Sequence, residues 1–133
     1  MTGIVVDTSA LTAILKGEAL SERLMTAMVS APAVNVPAPA VLECKLVAFG
    51  WAGAVGPRLV DSLLGQVVAK VIPFGSVESG YATDGFSRFG KGRHPAGLNF
   101  GDCLVYGTAR AAGLPLLFVG ADFSQTDLVA ASY

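Results

Sequence analysis

The sequence predicts a three-layer α/β/α domain, with a largely parallel central sheet, spanning residues 1–133. Three observations carry that expectation. Short aliphatic runs, Ile4-Val5-Val6 and Leu116-Leu117-Phe118-Val119 foremost, alternate with stretches whose apolar residues recur at helical spacing. The runs contain no polar residue, as strands covered on both faces require. The composition, 53% hydrophobic and only 14% charged, supplies a substantial core and excludes a disordered chain.

Taken in order, Ile4–Val6 reads as a strand ending at Asp7, and Ala10 to Lys16 as a helix closed by Gly17. Leu20, Leu24, Met25 and Met28 line one face of a second helix over 20–29. Val34–Val36 is a brief strand. Pro39 suits the first turn of a helix reaching about Phe49, before Gly50 and Gly53 break it. Arg58 to Leu64 forms a further helix, Val67 to Ile72 a strand closed by Pro73, and Ser76 starts a helix towards Phe86. Gly85 to Gly101 reads as a glycine-rich, partly basic loop. Asn99 caps a helix from Phe100 to Ala112, which Gly113 and Pro115 end before the strand Leu116–Val119. The first and last strands, the most apolar, are expected to be neighbours near the sheet centre.

Charge and cysteine usage narrow the function classes. A formal net charge of −1 argues against a general polyanion-binding protein, so any nucleic-acid contact must be local. Two cysteines, Cys44 and Cys103, make no C-x-x-C pair, which points away from a zinc ribbon and towards a reducing, cytoplasmic setting. The N-terminus carries no signal-peptide pattern. The longest uncharged run, Leu24 to Leu42, is interrupted by Pro32, Asn35, Pro37 and Pro39, so no membrane-spanning segment is expected.

In an open α/β sheet, ligands sit beyond the carboxyl ends of the strands. Asp7 and Asp122 follow strands at that edge, and Asp102 stands in the first turn of the Asn99-capped helix. Glu43 lies early in its own helix, with no Lys or Arg at the spacing that would pair with it. Carboxylates gathered at one edge repel one another unless a cation lies between them, and an oxygen-only donor set favours Mg²⁺ or Mn²⁺. Each aspartate also has a plainer role open to it: Asp7 as a helix cap, Asp102 as a partner of the helix dipole, Asp122 as the cap of a turn. Capping leaves Glu43 unexplained.

The loop before Asp102 holds Arg88, Lys91, Arg93 and His94 and no acid. Beside an acidic pocket this suits a phosphodiester, with cations for the flanking phosphates, although an ordinary solvated basic loop has the same composition. His94 is the sole histidine, which leaves little basis for a Ser-His-Asp or Cys-His nucleophile. Cys44 and Cys103 read as small buried hydrophobes, and Phe49, Trp51, Phe86 and Phe89 as core or dimer contacts rather than base-stacking platforms.

The segments Val-Val-Asp7-Thr-Ser-Ala-Leu, Val-Leu-Glu43-Cys, Asn-Phe-Gly-Asp102-Cys-Leu and Leu-Leu-Phe-Val-Gly-Ala-Asp122-Phe together resemble PIN-domain ribonucleases, specifically VapC-type toxins of type II toxin–antitoxin systems. The resemblance covers essentially the whole chain. It implies a PIN-like fold and a Mg²⁺- or Mn²⁺-dependent endoribonuclease in which Asp7, Glu43, Asp102 and Asp122 form the acidic quartet. Ser9 matches a hydroxyl position beside the first aspartate, and Gly90-Lys-Gly-Arg-His-Pro, with Lys91 and Arg93, resembles a substrate-contacting loop. The resemblance also implies a homodimer silenced by a VapB-like antitoxin, in a heterotetramer or larger assembly.

Two rival readings differ in class. A haloacid-dehalogenase-like phosphatase or phosphotransferase would use Asp7 as nucleophile, but Ser9 stands where that chemistry wants a second aspartate. A catalytically inactive PIN-like scaffold would bind a partner without metal.

Overall fold

A computed structural model describes residues 1–133. The chain forms β1 (Ile4–Val6), α1 (Thr8–Leu15), α2 (Ser21–Ser30), β2 (Val34–Pro37), α3 (Ala38–Ala52), α4 (Gly56–Gln66), β3 (Lys70–Ile72), α5 (Ser76–Phe89), α6 (Phe100–Ala112) and β4 (Leu116–Leu117). Short 3₁₀ turns occupy Gly53–Val55 and Phe123–Gln125. The strands form one sheet in the order β3-β2-β1-β4, and every pairing is parallel. Successive residues of a strand face opposite sides of its sheet, and all of β2 and both Val5 and Val6 are buried. Helices therefore cover both faces, which gives the expected three layers.

One continuous core of 27 buried residues runs through the sheet and its helices. Asn35, buried in the middle of β2, is satisfied by donating from Nδ2 to the carbonyls of Thr2 and Ile4 at 2.9 and 3.0 Å. Tyr106 is wholly buried on α6 and donates its hydroxyl to Asp127 at 2.7 Å; Arg88 and Arg110 reach the same carboxylate, at 3.2 and 3.8 Å. That cluster fastens the C-terminal segment to α5 and α6.

Several expected boundaries move, each for a packing reason. β1 and β4 are neighbours, with Val5 opposite Leu116 and Val6 opposite Leu117, but β4 lies at the end of the order, not its centre. It remains buried because Leu116 also bonds to the backbone of Val129 and Ala131. The last strand is two residues long, not four, since Val119 turns its amide to the Ser9 hydroxyl. β3 begins only at Lys70, because Val67 and Val68 close α4 and Val68 takes a φ of 52° that no strand admits. α5 runs through Gly85 to Phe89, shortening the basic loop: the glycine lies against the Tyr106 ring, where a Cβ would clash, so it serves close helix packing instead of breaking the helix.

The apolar stretch from Ala38 to Gln66 is long enough, by length and composition, to cross a bilayer. In the fold it is two helices. Gly53, at φ 63°, ends α3, and α4 folds back so closely that a Cβ on Gly56 would meet Ala48 at about 2.5 Å.

Candidate functional site

The acidic residues lie around the edge where the strands end and α6 begins. Asp7 immediately follows β1 and caps α1, accepting the Ser9 amide on Oδ2 at 3.1 Å. It is buried. Burial pushes its carboxyl up to about 6; the hydroxyl and amide of Ser9 oppose the shift, and the charges of Asp102 and Glu43 add to it.

Asp102 occupies the first turn of α6 in a reciprocal cap: its Oδ2 accepts the Asn99 amide at 3.1 Å, and Asn99 Oδ1 accepts the Asp102 amide at 2.9 Å. Its carboxyl is raised by burial first, against the Asn99 amide, with the charges of Asp122 and Glu43 adding to the rise. Glu43, on α3, is exposed, yet its carboxylate lies against α6: a Cβ on Gly101 would stand 2.7 Å from its Oε2. Asp122, also exposed, follows β4 at the start of a 3₁₀ turn and makes no capping hydrogen bond.

Asp7 thus feels Asp102 and Glu43, and Asp102 feels Glu43 and Asp122. None of the four forms a salt bridge, and Lys45, the cation nearest Glu43 in sequence, is committed to Asp61 at 2.9 Å. The structure brings the expected acids to one edge and leaves their repulsion uncompensated. It does not close them into a cage, since no three His, Cys, Asp or Glu side chains stand at metal-binding separation. The chemistry of the donor set still fits a hard divalent cation: all oxygen, and free of arginine. Asp7 and Asp102 cap helices as well, so for these two the plainer role and the functional one coincide. Asp122, with no capping bond, is left without the plainer one.

Ser9 ties the edge together. Its hydroxyl accepts the Val119 amide at 2.9 Å, which leaves its own proton for the Asp7 carboxylate. Of the basic cluster, Arg88 belongs to α5 and pairs with Asp84 and Asp127. His94 shapes the loop, its Nδ1 accepting the Ala96 amide at 3.0 Å and its ring meeting Phe89 edge-on. Lys91 and Arg93 are exposed and without acidic partners, with Arg93 lying over the Phe86 ring. Cys44 and Cys103 are free and buried, and burial raises both thiols, as inert packing residues require. Sequence reasoning passed over Phe100, an aromatic left 80% exposed beside the acids. The signal was its place between a cap and a glycine, where a helix has not yet entered the core.

The PIN domain family matches residues 4–129. The chain is 40% identical over 126 residues to ribonuclease VapC36 of Mycobacterium tuberculosis, covering 94% of this chain and 91% of that protein. It is 38% identical over 127 residues to ribonuclease VapC of Mycolicibacterium smegmatis, covering 96% and 98%. Among solved structures, Mycobacterium tuberculosis VapC20, a toxin that cleaves the sarcin–ricin loop, superposes with a TM-score of 0.78 at 19% identity, over 98% of this chain and 99% of that one. A toxin–antitoxin complex from Klebsiella pneumoniae gives 0.73 at 16% identity, over 98% of each chain. From β1 through the acidic edge to the last bridge of the sheet, the chain belongs to the PIN-domain family and, within it, to the VapC ribonucleases.

Proposed function

We propose that this chain is a divalent-metal-dependent endoribonuclease and the toxin of a bacterial toxin–antitoxin pair. The observation that carries the reading is a run of carboxylates near one sheet edge, Asp102 sensing Glu43 and Asp122 and Asp7 sensing Asp102 and Glu43, with none of the four in a salt bridge. A bound Mg²⁺ or Mn²⁺ would supply Lewis acidity towards the phosphate and a water acidified enough to attack it.

The chain's own groups do the rest. Asp7, Asp102 and Asp122 would hold such an ion, and Asp7 is fixed in place by the Ser9 amide. Glu43, on the exposed rim, would hold the ion or serve as the proton acceptor. Lys91 and Arg93, free of acidic partners, hold phosphates on either side of the scissile bond. No protein nucleophile is needed: Ser9 already accepts the Val119 amide and both thiols are buried.

The same reading gives the chain a cytoplasmic location, a VapB-like antitoxin and a homodimeric state. Val47, Phe49 and Trp51 of α3 are all exposed, an apolar surface suited to a protein partner. The test is cleavage of single-stranded RNA by the purified chain. Activity should vanish with a chelator, return with Mg²⁺ or Mn²⁺, and be lost in Asp7→Asn and Asp102→Asn variants that retain the native fold. Cleavage that persists in chelator, or an Asp7→Asn variant as fast as the unaltered chain, would overturn the reading. A phosphoryl adduct trapped on Asp7 would move the protein to the phosphotransferase class, and absence of Mn²⁺ binding by calorimetry would favour an inactive scaffold.

A further inference from the structure

We propose that Phe100 is a platform on which a base of the RNA substrate stacks beside the cleavage site, an inference that rests on the ribonuclease reading above. Phe100 is the first residue of α6, and its side chain is 80% exposed. On a helix it shares a face with the residues three and four positions on, here Cys103 and Leu104. Cys103 is buried, and Tyr106 and Ala109 carry the buried side of α6 deeper into the core. Phe100 is where that side emerges at the acidic edge.

Two apolar depressions meet at this ring. One, of about 490 Å³, is walled by Phe74, Phe86, Cys103 and Leu104. The other, of about 250 Å³, is walled by Pro39, Leu42 and Leu46 and includes Glu43. The ring therefore adjoins the carboxylate that faces Gly101, and Asp102 is two residues on. On the first wall Phe86 is 39% exposed, and the Arg93 guanidinium sits 5.5 Å from the centre of its ring with no acidic partner.

A single strand of RNA presents flat apolar bases and regularly spaced phosphates, and its binding sites pair aromatic faces with nearby cations. Phe100 supplies the face beside Glu43, and Arg93, over the Phe86 ring on the first wall, a cation, with Lys91 two residues before it in the same loop. This complementarity favours a nucleotide over an apolar protein segment, which would leave the cations without partners. The first wall has only Ser79 and Thr83 as polar side chains, so the contact would tolerate any base and act as a grip instead of a reader of sequence.

The experiment measures affinity for a short single-stranded RNA in the Asp7→Asn background, where the strand survives, for Phe100 and for Phe100→Leu and Phe100→Trp. Leucine keeps the apolar character but loses the planar ring, and should weaken binding about tenfold; tryptophan should keep it within about twofold. A neutral stacking contact should leave the slope of affinity against salt unchanged, whereas Arg93→Ala should lower it. Light scattering on each variant reports the particle mass. Equal affinity of the leucine variant, or a leucine variant whose particle mass changes, would overturn the platform, the latter showing that a second copy covers the ring. If the unaltered chain cleaves RNA while Phe100→Leu binds undiminished, only the platform fails; if the unaltered chain neither binds nor cleaves RNA, the nuclease reading falls first.

Discussion

The hydroxyl of Ser9 accepts the backbone amide of Val119 at 2.9 Å, a bond between residues 110 positions apart in the chain. Ser9 also donates its own amide to Asp7. One small residue therefore links the first carboxylate to the segment that carries Asp122 past the end of the sheet. The pinned amide is also what stops β4 at Leu117 and turns the chain into the site.

Removing the hydroxyl should cost more in function than in stability. Ser9→Ala strands the half-buried Val119 amide and should lower unfolding free energy by about 1 kcal/mol. Metal-dependent cleavage should fall about tenfold or more, because a small misplacement of a reacting group is expensive in rate. Ser9→Thr, which keeps the oxygen, should recover most of both. The check is a denaturant titration beside a cleavage assay; equal behaviour of the alanine and threonine variants would remove the link.

Asp7 makes the metal-free protein less stable as pH rises. In the fold it holds its proton up to about pH 6, whereas an unfolded aspartate releases it near 3.8, so the native state binds the extra proton between those values. Stability falls through that window and levels off above it, by an amount on the order of 3 kcal/mol. Asp7→Asn removes the penalty and can still accept the Ser9 amide. The variant should melt about 5–10 °C above the unaltered chain at pH 7 without metal, with the gap closing towards pH 4. Melting curves across that range decide it, and a gap that does not depend on pH would contradict the assignment.

Gly101 separates stability from activity in the opposite direction. It sits in the first turn of α6, and an added methyl group would meet Glu43 Oε2 at 2.7 Å, a flexible end that can swing aside. Gly101→Ala should therefore hold or raise stability, by up to about 1 kcal/mol, through helix propensity. With Glu43 in the proposed site, its displacement should lower cleavage about tenfold or more. Thermal melts and initial rates on the same preparation test it; unchanged rates would place Glu43 outside the chemistry.

Much of this architecture is legible in the sequence because it depends on local rules. Unbroken aliphatic runs at Ile4–Val6 and Leu116–Leu117 form strands because both their faces are covered. Asn99 reads as the cap of α6, and the cap is present; that Asp102 returns the bond to the Asn99 amide is added by the structure. Glu43 stood out because no cation could pair with it along its helix, and in the fold it remains unpaired. Gly85 misled because a glycine in a helix pattern reads as a break unless the ring packed against it is known. Arg88 read as part of the basic loop because its partner Asp127 is 39 residues away.

The sequence by itself settled the layers, the parallel sheet and the places of Asp7 at a strand end and Asp102 in a first helical turn, since periodicity, caps and chain direction are encoded within a few residues of each position. Tertiary structure alone decided that those acids sense one another, that Lys91 and Arg93 stay free while Arg88 and Lys45 are neutralised, and that Phe100 is left in solvent. These depend on distances across the sheet, and no local pattern fixes how far apart two residues come to rest when dozens of others lie between them.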